Sequence, residues 1–422
     1  MKTKILIILA ACFIALTAAV PLWWTFSYNE PLTPPAPAVI DEPSAPIKVV
    51  EQMRAIWIAT VNNINFPSKK GLSKAALEAE LDEIVAFAKE NGFNTIMFQV
   101  RPAADALYDS DIFPASKFVS GECGRAPSGN FDCLAYLVET AHKEHIAVHA
   151  LINPLRVTSG NKTYPQTDID ALPLSSPARQ NKDFVVAYAD GKLYFDVGEP
   201  YVRSLVAAGV KEICENYAVD GVVFDDYFYP YPEGNASFDD SKSFAAYGNG
   251  MALADYRRNN VNQLIKLCYD TVKAVDRRIQ FGVSPFGIWQ NGGEGSDTSG
   301  LEAYDAIFCD ALAWVNGGYV DYLAPQIYWS FDTESAPFDT LALWWSEKLS
   351  GTGVRYYINH GVYRYSDGSM QSGEITKQLD FASTLPYYFG SAFYGYAALE
   401  SNDGGVLKEL CENFKEHTLY LE

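Results

Sequence analysis

The stretch Val219-Asp220-Gly221-Val222-Val223-Phe224-Asp225-Asp226-Tyr227-Phe228-Tyr229-Pro230 decides the fold. Val222, Val223 and Phe224 are apolar in succession, which suits a strand buried on both faces at the centre of a parallel sheet. Asp225 and Asp226 do not suit that setting, because a buried carboxylate is costly unless it is paired or hydrogen-bonded. The segment therefore reads as a short central strand that opens, at its carboxyl end, into a polar and aromatic site.

On either side of this strand the same rhythm repeats. Short apolar runs at 54–60, 95–101, 146–153, 280–288, 321–329, 355–363 and 392–399 read as strands. Between them lie amphipathic segments that read as helices, the first capped by Ser73 and stopped by Gly92. With the opening segment as the fourth strand, this makes eight strand-helix units in order. Such alternation predicts a parallel sheet with helices outside it, and eight units close into an α/β (β/α)₈ TIM barrel. A barrel of roughly 360 residues exceeds the ~250 typical of the fold, so the excess lies in loops, chiefly after strands three and four. The competing architecture, a doubly wound open sheet, lacks a GxGxxG after the first strand.

Composition narrows the partners. The chain has 422 residues, 32 Lys plus Arg against 52 Asp plus Glu, and a net charge of −20. That balance argues against nucleic acid, whose binding rests on neutralising phosphates, and it is a poor match for an anionic membrane surface. Aromatic residues make up 14% of the chain; most pack a core, and some are free to stack on sugar faces.

The N-terminus carries an address. Lys2 and Lys4 precede an uncharged run of 22 residues from Ile5 to Phe26, the pattern of a signal peptide or signal anchor. Thr17-Ala18-Ala19 offers a cleavage site, and Leu9-Ala10-Ala11-Cys12 resembles a lipoprotein box. Each route predicts an extracytoplasmic protein, secreted or held at the outer face of the membrane, with membrane contact through this segment alone. The expected organisation is a leader or anchor over 1–28, a proline-rich spacer over 29–50 and a barrel over 51–422. Cys123 and Cys133 flank a loop and are spaced to form a disulfide in an oxidising compartment.

The strand ends supply the candidate site. Asp225 should face the barrel mouth on the same side as Val223 and Tyr227, because side chains alternate along a strand. Asp226 would then orient a neighbour or bind substrate. Glycoside hydrolysis usually uses two carboxyl groups, and Asp196, Glu400 and Asp105 are the candidates for the second, among which the sequence does not decide. The other rims offer Gln99 and Arg101, Asn153 and Arg156, Ser284, Gln326 and Tyr328, and Tyr363, which would bind hydroxyl or N-acetyl groups. Trp57, Trp289 and Trp329 would stack on sugar rings. With five His and no CxxC pair, neither a metal nor another cofactor is expected.

Five ordered segments carry a resemblance. They are Arg54-Ala55-Ile56-Trp57-Ile58-Ala59-Thr60, Asn94-Thr95-Ile96-Met97-Phe98-Gln99-Val100-Arg101-Pro102, Asp220 to Tyr227, Val283-Ser284-Pro285-Phe286-Gly287, and Pro325-Gln326-Ile327-Tyr328-Trp329. Together they resemble the glycosyl-hydrolase-like 10 family of bacterial extracytoplasmic proteins. One departure is Cys133, where the family pattern suggests proline. The resemblance implies a TIM-barrel glycosidase whose active site includes the acids after strand four. It also implies a polysaccharide substrate, the glycan strands of peptidoglycan, in at least one lineage after the peptides are removed. The reading is thus a glycoside hydrolase, and its rival is a non-catalytic barrel that tethers the surface to wall polymer. A deacetylase or other metal hydrolase finds no ligand set.

Overall fold

The structure is a computed structural model that describes residues 52–416; the expected leader and proline-rich spacer lie outside these residues. Strand β1 (Met53–Ile58) starts a parallel series continued by β2 (Thr95–Arg101), β3 (Ala147–Ile152) and β4 (Gly221–Phe224). Next come β5 (Gln280–Val283), β6 in two pieces (Tyr322–Leu323 and Gln326–Ile327), β7 (Arg355–Gly361) and β8 (Tyr388–Tyr394). Because β8 pairs with both β7 and β1, the sheet closes on itself. The result is the expected (β/α)₈ barrel. In chain order the principal helices around it are α1 (Lys74–Glu90), α2 (Cys133–Lys143), α3 (Pro200–Asn216) and α4 (Leu253–Val275). These are followed by α5 (Ala311–Gly317), α6 (Phe338–Leu349), α7 (Glu374–Ser383) and α8 (Val406–Glu416).

Alternation along the strands builds two apolar layers. Val223 faces into the barrel with Trp57, Met97, Leu151 and Tyr357. Val222 and Phe224 face out and pack beneath the helices. At the barrel waist a Cβ on Gly282 would lie 2.1 Å from the Tyr322 ring, so glycine there makes room for the ring. Local signals set the boundaries. The Ser73 hydroxyl accepts from Ala76 N at 3.3 Å to start α1, and Asp132 Oδ1 accepts from Ala135 N at 2.8 Å to start α2.

Several expectations change. The sixth strand is interrupted at Ala324-Pro325, where proline has no N–H for a ladder bond. The helix expected over 303–316 is two pieces, because Phe308 takes a positive φ of 55° and Asp310 caps a fresh helix, accepting from Ala313 N at 3.2 Å. The eighth strand runs over Tyr388–Tyr394, not 392–399; the apolar run beyond it coils into a helix, Tyr396–Glu400. Cys123 and Cys133 are both free thiols. Cys133 is fully buried in the first turn of α2 and packs in the apolar layer beneath the helices, whereas Cys123 sits in a half-buried loop.

The long connection after β3 has structure of its own. Val185–Ala187 and Leu193–Phe195 form an antiparallel hairpin around Asp190-Gly191, with Gly191 at φ 86° as such a tight turn requires. Its second strand pairs with the segment after β3: Phe195 N donates to Leu155 O and Val157 N to Leu193 O, both at 2.8 Å. The loop after β4 is anchored by a buried ion pair. Arg257 on α4 donates from Nε and Nη2 to the two Asp240 oxygens at 2.8 and 2.7 Å. These two anchors hold the walls of the barrel mouth.

Candidate active site

The carboxyl ends of the strands surround a cavity of about 380 Å3. Asp225 and Asp226 line it from the end of β4, and both are almost fully buried. The strand ends at Phe224, so the alternation that would have sent Asp226 outward no longer applies, and both carboxyls reach the cavity.

Their surroundings differ. Asn153 Nδ2 donates to Asp225 Oδ2 at 3.1 Å, and Tyr227 N donates to Asp225 Oδ1 at 3.3 Å. Asp226 accepts from the Tyr231 hydroxyl on one oxygen and from Gln326 Nε2 on the other at 2.9 Å. Burial pushes the Asp225 carboxyl up to about 7; the Arg156 guanidinium opposes that shift, and the neighbouring Asp226 charge adds to it. Burial also raises Asp226, against the two hydrogen bonds from Tyr231 and Gln326 that favour its anion. A carboxyl held protonated near neutral pH, as at Asp225, is the charge state that general-acid chemistry requires.

Arg156 is held over this pair by three contacts. Its backbone N donates to Asn153 Oδ1 at 3.0 Å, its Nε to Pro102 O at 2.8 Å, and its guanidinium lies 5.4 Å from the Tyr227 ring centroid. On the far side of the mouth the wall is aromatic. Tyr328 after β6 stacks with Tyr394 of β8 at 6.0 Å, and Tyr363 after β7 stands edge-on to both. Trp57 of β1 meets Tyr394 edge-on at 6.4 Å, and Trp329 also lines the cavity. Gln99 Oε1 accepts from Thr60 N and Val61 N, which leaves its NH2 as the group available to a ligand.

The other predicted residues lie elsewhere. Asp196 precedes α3 and is buried among Gly198, Ser243 and Arg203; its Oδ1 accepts from Gly198 N at 2.8 Å. Glu400 ends the helix after β8, exposed, with the Tyr396 hydroxyl 3.4 Å away. Asp105 is buried against Ser116, which donates to it at 2.6 Å. Neither predicted partner acid lines the cavity, nor does Asp105.

Arg101 is also turned away. A register shift between Gln99 and Arg101 flips its side chain outward, where it lies 3.7 Å from the Phe113 ring centroid in space left open by Gly209. Burial lowers its pKa there. Trp289 is no platform at the mouth: its ring stacks on Trp344 at 5.8 Å, outside the cavity lining. Asn153 and Ser284 act from behind, Asn153 on Asp225, and Ser284 through its carbonyl, which accepts from Gln326 Nε2 at 3.0 Å.

Sequence reasoning missed Tyr231, Arg364 and Tyr394, which line the cavity. Tyr394 was hidden by the misplaced eighth strand. Tyr231 lies in the aromatic run after Asp226, where spacing alone does not show which ring returns to the acids. His149, which lines the concavity at the barrel base, and His360 are each taken up by protein partners. His149 Nδ1 is bound to the Tyr322 hydroxyl, and both nitrogens of His360 are bound to Gln378 and Ser391. Among the described residues, no cluster of three or more His, Cys, Asp or Glu could hold a metal ion.

A closed (β/α)₈ barrel with two buried acids, amides and aromatic rings at its mouth has the fold and site character of the glycoside-hydrolase barrels. The particular family follows from sequence: a family model described as Glycosyl hydrolase-like 10 matches residues 52–374, and the chain belongs to that family. Glycosyl hydrolase YngK of Bacillus subtilis is 36% identical over 369 residues, covering 85% of this chain and 71% of that protein. Glycosyl hydrolase DigH of Escherichia coli K12 is 35% identical over 390 residues, covering 86% and 87% respectively. Among solved structures, the PgaB (BpsB) glycoside hydrolase domain of Bordetella bronchiseptica superposes with a TM-score of 0.55 at 11% identity. That match covers 88% of this chain and all of the domain, and at such low identity it speaks for the fold alone.

Proposed function

We propose that the chain is an extracytoplasmic glycoside hydrolase that cleaves a bacterial cell-wall glycan of the peptidoglycan type. The observation that carries this reading is the buried Asp225 carboxyl, pushed up to about 7 inside a cavity walled by aromatic rings. In this reading Asp225 protonates the leaving glycosidic oxygen. Asp226 starts the reaction as the anion that the Tyr231 and Gln326 hydrogen bonds favour, and Arg156 steadies the charge of the pair. Tyr328, Tyr363, Tyr394, Trp57 and Trp329 offer flat apolar faces to sugar rings, while Gln99 and Gln326 offer amides to hydroxyl or N-acetyl groups. The N-terminal address supports a location outside the cytoplasm, and the relatives' names support glycan hydrolysis. Neither names the polymer.

One observation favours the non-catalytic alternative: among the described residues, no carboxylate lines the cavity from another strand. A single assay separates the two. The full-length chain is incubated with purified peptidoglycan and with its peptide-free glycan strands, and new reducing ends and product masses are measured. Fragments with new reducing ends support hydrolysis. Binding to the strands without cleavage supports the tether.

A further inference from the structure

Glycosidases that work with two enzyme carboxyls set them on opposite faces of the scissile sugar, one for the leaving group and one for the nucleophile or water. Here the acids lining the cavity are consecutive residues, Asp225 and Asp226, and enter from the same side. In an eight-stranded barrel the strand opposite β4 is β8, flanked by β1 and β7. That wall presents Tyr394, Trp57 and Tyr363, none of them an acid. Asp196, Glu400 and Asp105 are each placed outside the cavity lining.

We propose, building on the hydrolase reading above, that the nucleophile is supplied by the substrate: the carbonyl oxygen of a 2-acetamido group on the sugar being cleaved. Asp225 gives its proton to the glycosidic oxygen, the C1–O bond breaks with its electron pair going to that oxygen, and the acetamido oxygen bonds to C1. The acetamido N–H passes its proton to Asp226, so the ring closes as a neutral oxazoline. In the second half Asp226 returns that proton to nitrogen. Water then adds to C1, its proton going to Asp225, and the acetamido oxygen leaves C1. Atoms and charge balance, and C1 is displaced twice, so its configuration is retained.

Other features of the mouth fit this assignment. Asp226 is oriented by donors on both oxygens, and each oxygen has a further lone pair to accept an amide N–H. The Tyr328 hydroxyl accepts from Asn359 Nδ2 at 2.9 Å, which leaves its proton for an acetamido or hydroxyl oxygen. Trp57 is 5% exposed and lines the cavity, while its buried indole N–H has no partner among the described residues. Asp226 is thus assigned as the residue that selects a 2-acetamido sugar.

The test uses the full-length enzyme and peptide-free, N-acetylated glycan strands. The anomer first released is read by NMR, and inhibition is measured with a thiazoline analogue of the bicyclic intermediate. The expected results are a retained anomer and an inhibition constant at least ~100-fold below KM, as transition-state-like ligands show. The same strands after chemical N-deacetylation should be cleaved at least ~100-fold more slowly, with Asp226→Asn losing most on the N-acetylated form. An inverted product overturns the proposal, and so does a covalent glycosyl adduct on an enzyme carboxylate after treatment with a 2-deoxy-2-fluoro glycoside; in both cases hydrolysis stands. No cleavage of any strand overturns the hydrolase reading and the proposal with it. The anomer and thiazoline measurements need only the unmodified enzyme, so they decide even where Asp226→Asn does not fold.

Discussion

Strand β4 carries acids at both ends, and their circumstances are opposite. At its base, Asp220 accepts from His142 Nε2 and from Val148 N, each at 2.8 Å, while remaining partly open to solvent. At its mouth, Asp225 and Asp226 are buried, and the cation beside them, Arg156, forms no ion pair within 4.0 Å among the described residues. The base has the larger concavity, about 950 Å3 against about 380 Å3. Yet several polar groups around the base are paired within the protein, Arg278 with Asp276 at 2.7 Å, Glu215 with Lys211 at 3.3 Å and the His142 ring with Asp220 at 2.8 Å. Size does not mark the site. Two adjacent buried acids that line one cavity without an ion-pair partner among the described residues do, since that arrangement costs stability and is kept where chemistry uses it.

The comparison is tested first on what holds each end. The mouth loop hangs on the buried Arg257–Asp240 pair, and removing one partner strands the other's charge. Arg257→Ala should cost about 3–5 kcal/mol, read as a lower denaturant midpoint with an unchanged slope. A loss under ~1 kcal/mol would mean that the loop is held by something else.

Next comes the sign of the mouth acid's contribution. A folded carboxyl raised from 3.8 to about 7 binds more protons than the unfolded chain between those values. Its contribution to stability is therefore fully present below pH ~4 and is lost as pH rises towards ~7. Asp225→Asn should remove that decline and raise stability at pH 7.5 by on the order of 2 kcal/mol, part of the ~4 kcal/mol such a displacement represents. Thermal melts of both proteins from pH 4 to 8 check this, and parallel curves would contradict it.

The same carboxyl predicts a rate profile. As Asp225 loses its proton above about pH 7, kcat/KM on glycan strands should fall, approaching tenfold per pH unit. A flat profile from pH 6 to 9 would assign the proton donor elsewhere. The smallest effect belongs to the base. His142→Ala breaks a partly exposed pair and should cost under ~1 kcal/mol while leaving the rate on glycan unchanged.

The barrel was legible in the sequence because its signals are local. Strand β2 was read at its observed bounds, and Ser73 and Gly92 bracket α1 as expected. The acids were legible for the same reason: an apolar run ending in Asp225 and Asp226 conflicts with burial. What was not legible depends on three-dimensional detail. The bulge that turns Arg101 outward leaves no trace in residue type. The helix after β8 continues an apolar run without punctuation, so Tyr394 was passed over and Glu400 was put on the rim. The hairpin that pairs beside Arg156 did leave a signal, Asp190-Gly191 between two apolar runs, and it went unread.

The central claim is that chemistry at the mouth runs through Asp225, and one measurement addresses it directly. Wild type, Asp225→Asn and Asp220→Asn are compared for release of reducing ends from peptide-free glycan strands, each protein first shown to be folded. The account predicts a loss of ~10²–10⁴-fold for Asp225→Asn and little change for Asp220→Asn. A folded Asp225→Asn with wild-type activity would contradict it.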